Sequence, residues 1–233
     1  MMGDETSPIR EQGKILDFST ILQKVFAMMG TGLLVTAITA FIVVSVPSIL
    51  MSVVQTFQLW IIAELILVIV LSLNLRKMGK GTCILFFYIY AIINGITLSS
   101  IFLAYELGTI ASTFLITSAM FFAISFYAKT TKKDLSSIGS FGLMALTGLI
   151  IAGIVNIFIM NSMLDFIISV IGIVVFIGIT AYDIQKIKDI SEKTEISDED
   201  ATAQVVAWGA LNIYLDFINI FLKLLRIFGR RRK

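Results

Sequence analysis

The chain has 233 residues, of which 58% are hydrophobic and 15% charged, with a formal net charge of +2, and its mean hydropathy is +0.95. Soluble domains carry about 25% charged residues, so this composition excludes an ordinary soluble protein and predicts a membrane protein with several spans. The chain has no histidine and one cysteine, which excludes histidine metal sites, Ser-His or Cys-His triads, internal disulfides and cysteine zinc sites.

Seven segments approximate the ~20 apolar residues that a transmembrane helix needs. They lie near residues 25–46, 53–75, 83–104, 110–128, 138–160, 164–186 and 203–228. The predicted fold class is therefore an all-α polytopic membrane protein. Its predicted domains are a polar cytoplasmic N-terminal segment at 1–24, a seven-helix transmembrane domain at 25–229 and a basic tail at 230–233.

The short connections predict the orientation of these spans. Lys and Arg precede the first span and follow the second, fourth and sixth, whereas the connections after the first, third and fifth contain neither. The positive-inside rule then places the N-terminus in the cytoplasm. The basic tail disagrees, because seven crossings put it outside, and a re-entrant last segment is the alternative. We favour a full crossing, because three consistent loops outweigh one tail.

The last span carries polar side chains on one stripe of a helix. Asn212, Asp216, Asn219, Lys223 and Arg226 follow one another at steps of four, three, four and three residues. A charged group at bilayer depth costs at least ~2.5–3.5 kcal/mol, so this stripe cannot face lipid. We therefore expect other helices to surround the last one.

Acidic side chains inside the spans are the strongest candidates for function. Glu64 lies in the second span, Asp183 in the sixth and Asp216 in the seventh. A rise of about 1.5 Å per residue from Lys188 and from Trp208 gives Asp183 and Asp216 similar depths, about 8 and 12 Å. Two carboxylates in contact in a low dielectric cannot both ionise freely, so the pair would act as a proton-sensitive latch. The alternative is that these groups only join helices through hydrogen bonds of ~0.6 kcal/mol each.

Several stretches of the chain form a recognisable pattern. They are TTKKDLS at 130–136, TAYDIQK at 180–186, and LDFIN at 215–219 running on to LLRIFG at 224–229, while NGITLS at 94–99 fits as well. Together they resemble the Bax-inhibitor family (transmembrane Bax inhibitor motif proteins), particularly its bacterial branch. The similarity extends from about residue 22 to residue 229.

This resemblance implies seven helices, the last one central and wrapped by the other six. It also implies a pH-dependent calcium leak, with Asp183 and Asp216 as a hydrogen-bonded pair that forms both the pH sensor and the Ca²⁺ path. Arg226 matches a family arginine that pairs with a second-helix carboxylate, for which Glu64 is the candidate. Arg76 is an approximate counterpart of a basic latch at the end of the second helix. Other bacterial members look like partners of a membrane-anchored quality-control protease.

We therefore predict a pH-sensitive calcium leak channel gated by an aspartate pair, and not an enzyme. It would lie in the cell inner (plasma) membrane as a multi-pass protein, with an organellar membrane as the alternative. The predicted partners are the lipid bilayer, Ca²⁺ as the permeant ion, protons and a membrane-anchored protease. No cofactor and no nucleic acid are expected.

Two other functions stay open from the sequence. One is a regulator of a membrane protease or of cell survival that transports nothing. The other, less favoured, is an intramembrane aspartyl protease that uses Asp183 and Asp216 as its catalytic pair. In that class the second catalytic aspartate ends a Gly-x-Gly-Asp motif, whereas this chain has Ile213-Tyr214-Leu215-Asp216. That class also needs a Pro-Ala-Leu loop, whereas the prolines of this chain are Pro8 and Pro47.

Overall fold

The computed structural model describes residues 17–192 and 199–230, and the side chain of Arg76 lies outside the described part. The described chain folds into α-helices with one short 3-10 helix and contains no strand. Seven segments of it are helices long and apolar enough to cross a membrane. The predicted fold class is thus confirmed.

The helices follow the predicted spans closely. They are α1 (Phe18–Ser45), α2 (Pro47–Gln55), α3 (Phe57–Asn74), α4 (Lys80–Leu98), α5 (Ile101–Ala104), α6 (Leu107–Thr130), α7 (Ser136–Ile159), α8 (Ser162–Ser191) and α9 (Glu199–Phe228), with the 3-10 helix at Leu75–Lys77 after α3. The third span consists of α4 and α5. The first begins at Phe18, before the predicted start at 25. A separate short helix, α2, precedes the second span because Pro47, which cannot continue α1, begins a new helix.

The turn between α7 and α8 reverses the chain within very few residues. Met160 ends α7 in the left-handed conformation, with φ 54°. Asn161 then caps α8, because its side-chain oxygen accepts a hydrogen bond from the backbone N–H of Leu164 at 3.0 Å. The turn makes α7 and α8 antiparallel neighbours, and it places Asp165 in the first turn of α8.

The last helix is the centre of the bundle. It packs mainly against α1, α4, α6 and α8. In its most apolar stretch 72% of the residues are buried, compared with 6% for α3 and 11% for α7. The position of α9 confirms the prediction of a central last helix. Direct packing around it comes mainly from four helices, however, because α3 and α7 form an outer layer on α4 and α8.

Contacts at both ends show that α9 runs the full height of the third span. At its beginning, Asp200 Oδ1 accepts a hydrogen bond from the backbone N–H of Lys80, the first residue of α4, at 2.8 Å. At its far end, the backbone carbonyl of Arg230 accepts from the N–H of Glu106, just after α5, at 3.3 Å. A continuous helix between these two points favours a full crossing over a re-entrant segment. The rest of the basic tail, 231–233, lies outside the described residues.

Candidate functional site

The structure brings Asp183 and Asp216 into one buried region. Asp183 lies on α8 and Asp216 on α9, and these two helices pack closely along their length. Only 9% of Asp183 and 4% of Asp216 is exposed. The two carboxylates interact electrostatically across the interface between the helices. Direct contact between the two carboxylates and a shared proton both stay predictions.

One oxygen of Asp216 has no partner. Its Oδ2 atom is buried and makes no hydrogen bond in the described part of the chain. Thr180, one turn before Asp183 on α8, interacts with the Asp216 carboxylate and also donates to the carbonyl of Phe176 at 2.7 Å. A buried acceptor without a donor costs about 1–3 kcal/mol, more if it is charged. Asp216 is thus a buried acid whose hydrogen-bonding capacity is only partly used in the described part of the chain.

Asp183 faces a cation on the other side. Lys186, one turn further along α8, interacts electrostatically with the Asp183 carboxylate. The Lys186 ammonium lies 5.5 Å from the ring centroid of Tyr182 and 5.1 Å from that of Trp208. Aromatic faces attract cations, so these rings hold Lys186 near the end of α8 that leads into the connection to α9. The two aspartates therefore have different surroundings.

Glu64 accepts hydrogen bonds from a set of neutral donors on α4. Tyr90 Oη donates to Glu64 Oε1 at 3.2 Å, Asn94 Nδ2 donates to the same oxygen, and Thr97 Oγ1 donates to Oε2 at 2.8 Å. Tyr214 of α9 in turn donates to Asn94 Oδ1 at 2.9 Å. We call Glu64, Tyr90, Asn94, Thr97 and Tyr214 the Glu64 cluster, and it joins α3, α4 and α9.

The Glu64 cluster extends to α1 at a close helix crossing. The hydroxyls of Thr36 and Tyr214 lie 2.6 Å apart, and Thr36 Oγ1 is 2.9 Å from the carbonyl oxygen of Ala91. Gly95 makes this approach possible, since a Cβ there would lie 2.7 Å from the carbonyl oxygen of Thr36. The sequence analysis singled out Glu64 but missed Tyr214. A tyrosine two residues before Asp216, on the helix expected to be central, was the available signal.

Arg226 has a different partner from the one that the resemblance implies. Its Nη1 atom lies 2.7 Å from Asp165 Oδ1, and the side chains of this pair are 48% and 31% exposed. Glu64 instead takes its partners from α4. Glu64 and Arg226 nevertheless line the same cavity of about 470 Å³ between α3, α4 and α9, together with Asn219. Asp165 was missed by the sequence analysis, although an acid at the start of the sixth span lies at the same membrane face as the end of the seventh.

The polar stripe of α9 divides between two faces. Asn219 and Arg226, seven residues apart, line the cavity next to α3 and α4. Asp216 and Lys223, also seven residues apart, face α8, where the Lys223 ammonium lies 5.8 Å from the ring centroid of Phe176. The side chain of Lys223 passes over Gly172 so closely that a Cβ there would overlap it. Asn212, Asp216, Asn219 and Lys223 are buried or half-buried, whereas Arg226, near the end of α9, is exposed. The role of Arg76 as a latch stays a prediction, because its side chain lies outside the described part.

Comparisons with known proteins agree with this architecture. A family model described as "Inhibitor of apoptosis-promoting Bax1" matches residues 19–233. The inner membrane protein YbhL of Escherichia coli (strain K12) is 42% identical over 217 residues, which cover 91% of this chain and 92% of the relative. An uncharacterized protein of Borreliella burgdorferi is 41% identical, over 96% of this chain and 97% of the relative. The chain therefore belongs to the Bax-inhibitor family.

Proposed function

We propose that this membrane protein is a pH-sensitive leak pathway for Ca²⁺, gated by Asp183 and Asp216. The observation that carries the proposal is the buried, unpartnered Oδ2 of Asp216 beside a second carboxylate. When the pair holds one proton, that proton can bridge the two groups and keep α8 against α9. When both groups are ionised, their repulsion in a low dielectric favours separation of the two helices.

Oxygen atoms of the protein supply the chemistry that Ca²⁺ requires. A hard cation prefers carboxylate and carbonyl oxygens, and a conducting site must bind weakly enough to release the ion. Two carboxylates are too few for a tight calcium site, which usually takes 6–8 oxygen ligands. A cavity of about 470 Å³, which Glu64 and Asn219 line, reaches α9 one turn from Asp216, on the face of α9 next to α3 and α4.

The test is Ca²⁺ flux in proteoliposomes between about pH 5 and pH 8. Wild type should conduct in a pH-dependent way, and Asp183→Asn and Asp216→Asn should each abolish the dependence on pH. Asp189→Asn is the matched control, since Asp189 lies on the same helix but is exposed. The proposal would be contradicted if Asp183→Asn and Asp216→Asn both conducted Ca²⁺ like wild type at every pH.

Several related points belong to the same proposal. By similarity to YbhL, we propose that the protein lies in a cell inner membrane. The distribution of Lys and Arg among the short connections supports a cytoplasmic N-terminus. We propose neither catalysis nor a resident cofactor, and the burial of both aspartates supports this, because it leaves little surface for a peptide bond to approach. Absence of flux in the liposomes, with a protease co-purifying from native membranes, would favour the alternative of a non-transporting regulator.

A further inference from the structure

A long groove opens between α1 and α6 on the outside of the bundle. Both helices pack on α8 and α9 but hardly on each other. The groove has a volume of about 620 Å³, and Phe217 of α9 lies at its back. It is lined on α1 by one face from Ser19 to Leu33 and on α6 by one face from Ser118 to Lys129. We call it the α1–α6 groove.

The length of the α1–α6 groove matches the thickness of one leaflet of a bilayer. Ser19 and Lys129 lie at the same end of the bundle, because α1 begins there and α6 ends there. From Ser19 to Leu33 the helix rises about 21 Å at ~1.5 Å per residue. Half of a bilayer with its headgroups, ~40–45 Å in all, is about 20–22 Å. The groove therefore extends from the headgroup level at the Lys129 end to the middle of the membrane.

The walls and the mouth of the groove differ in chemistry. The walls are apolar and aromatic, with Phe26 and Phe121 in edge-to-face contact at 6.2 Å. The hydroxyl of Ser125, which also lines the groove, donates to its own helix at 2.7 Å and so presents no free polar group. At the mouth, Lys129 and Gln23 offer a cation and an amide. The groove thus suits an amphiphile with an apolar tail and an anionic head.

An acid near the mouth is already engaged. Asp17 precedes α1, and its carboxylate accepts hydrogen bonds from the hydroxyls of Ser19 and Thr20. The Ser19 hydrogen bond also lowers the pKa of Asp17, so this group stays ionised at neutral pH. Asp17 keeps its negative charge and offsets one cation, but Lys129 at the mouth, with Lys132 and Lys133 exposed just beyond the end of α6, leaves the local balance positive even when the exposed Asp134 is counted. An anionic headgroup is favoured over a zwitterionic one for this reason.

We propose that the α1–α6 groove binds one anionic glycerophospholipid of the leaflet at the Lys129 end. One acyl chain lies along Phe26 and Phe121 and reaches Phe217, and the phosphate lies next to Lys129. The site needs no calcium transport, and its test is independent of the function proposed above.

Gly30 gives a direct way to fill the groove. It lines the groove, and a Cβ built on it meets nothing within 4 Å, so a side chain that starts there extends into the acyl-chain space. Gly153 on α7 is the matched control, since a Cβ there also meets nothing within 4 Å. The variants are Gly30→Phe, Gly153→Phe and Lys129→Gln. Gly30→Leu replaces Gly30→Phe if the larger side chain lowers the melting temperature.

The measurement is native mass spectrometry of the full chain in equimolar phosphatidylglycerol and phosphatidylcholine with identical acyl chains. Wild type and Gly153→Phe should each retain one phosphatidylglycerol. Gly30→Phe should lower the occupancy about tenfold, a change of ~1.4 kcal/mol. Lys129→Gln should lower the preference for phosphatidylglycerol about fivefold, in line with ~1 kcal/mol per basic residue at an anionic surface.

Three outcomes would overturn the proposal. One is equal lipid retention by Gly30→Phe, or its Leu substitute, and wild type. Another is wild type without any preference for the anionic lipid. In the third, Gly30→Phe displaces a second copy of the chain or a bound polypeptide and displaces no lipid.

Discussion

Glu64 and Asp216 are both acidic side chains at membrane depth, yet their surroundings differ. Glu64 accepts hydrogen bonds from three neutral side chains of α4, which satisfy both of its oxygens. Asp216 has a second carboxylate as its neighbour, and one of its oxygens has no hydrogen-bond partner among residues 17–192 and 199–230. Glu64 is half-buried beside a cavity, whereas Asp216 is only 4% exposed in the middle of the bundle.

This difference separates a structural role from a switching role. A polar cluster with all its groups satisfied fixes the positions of the helices that it joins. A buried acid that is only partly satisfied can gain stability by taking up a proton or by moving. We therefore expect Glu64 to hold α3 and α4 together and Asp216 to respond to pH. The following predictions test this contrast, beginning with the largest effect.

The largest effect is expected for Glu64→Ala. The substitution removes the hydrogen bonds that Tyr90, Asn94 and Thr97 donate to Glu64, although Thr97 Oγ1 still has the carbonyl oxygen of Asn94 as an acceptor at 2.9 Å. At ~0.6 kcal/mol for each of these hydrogen bonds, the free energy of unfolding should fall by about 2 kcal/mol. Chemical unfolding in detergent micelles measures the change.

Glu64→Gln is the control for that substitution. Its amide oxygen still accepts hydrogen bonds, so it should cost well under half as much as Glu64→Ala. Equal costs for the two variants would show that the acceptor role is not what makes Glu64 stabilising.

The next substitution, Asp216→Asn, should raise the free energy of unfolding, whereas Glu64→Ala lowers it. Asp216→Asn removes a charge from a buried site beside Asp183, so the protein should become more stable by about 1 kcal/mol. The gain should grow as the pH rises, because repulsion requires both carboxylates to be ionised. Melting temperatures across a pH series measure it, and a loss of stability at every pH would contradict a switching role for Asp216.

A smaller effect is expected for Arg226→Gln. The ion pair of Arg226 with Asp165 is partly exposed, at 48% and 31%, and such pairs contribute about 0.2–1 kcal/mol. The cost should shrink when salt is added, because salt screens exposed charges. Lys80→Gln is a matched control, because the Lys80–Glu199 pair is even more exposed, at 53% and 80%. If Arg226→Gln lowered the free energy of unfolding as much as Glu64→Ala does, Arg226 would also contribute to the Glu64 cluster.

The smallest effect concerns Asp134, a solvent-exposed acid between α6 and α7. Its hydrogen bonds with Ser136 lower the pKa of Asp134, and the Ser136 backbone N–H is 2.9 Å from Oδ1. A lowered pKa in the folded state stabilises the protein above the unfolded pKa, and this stabilisation disappears as the pH falls through the folded pKa. Asp134→Ala should therefore lower the melting temperature slightly near neutral pH and leave it unchanged in strong acid. A difference that persists in strong acid would contradict this origin.

The number of spans followed from the sequence because about twenty consecutive apolar residues are required to cross a bilayer. The early start of α1 did not follow, because polar Gln23 and Lys24 interrupt its first turns, while Ile21 and Leu22 are buried. The separate helix α2 was also missed, because hydropathy does not detect a break at Pro47 between two apolar stretches.

The candidate site, like the fold, was predictable only in part. Counting residues from the membrane interface gave Asp183 and Asp216 similar depths, and both are buried on helices that pack against each other. Counting could not assign Arg226 to Asp165, because depth does not give the rotation of each helix about its axis. Asn94 and Thr97 were recognised only as polar residues inside a span, and their common acceptor emerged from the packing of α3 on α4.

The sequence by itself determined that the chain crosses the membrane, which family it resembles and which helix must avoid lipid, because hydropathy and the cost of buried charge depend on residue type and spacing alone. Tertiary structure decided which polar groups meet. Helices of equal depth can pack through any face, and close contacts such as Gly172 of α8 with Lys223 of α9 and Gly95 of α4 with Thr36 of α1 help to fix which faces meet. The packing of α3 on α4 gives Glu64 its donors, and the packing of α8 on α9 lets the Asp183 and Asp216 carboxylates interact.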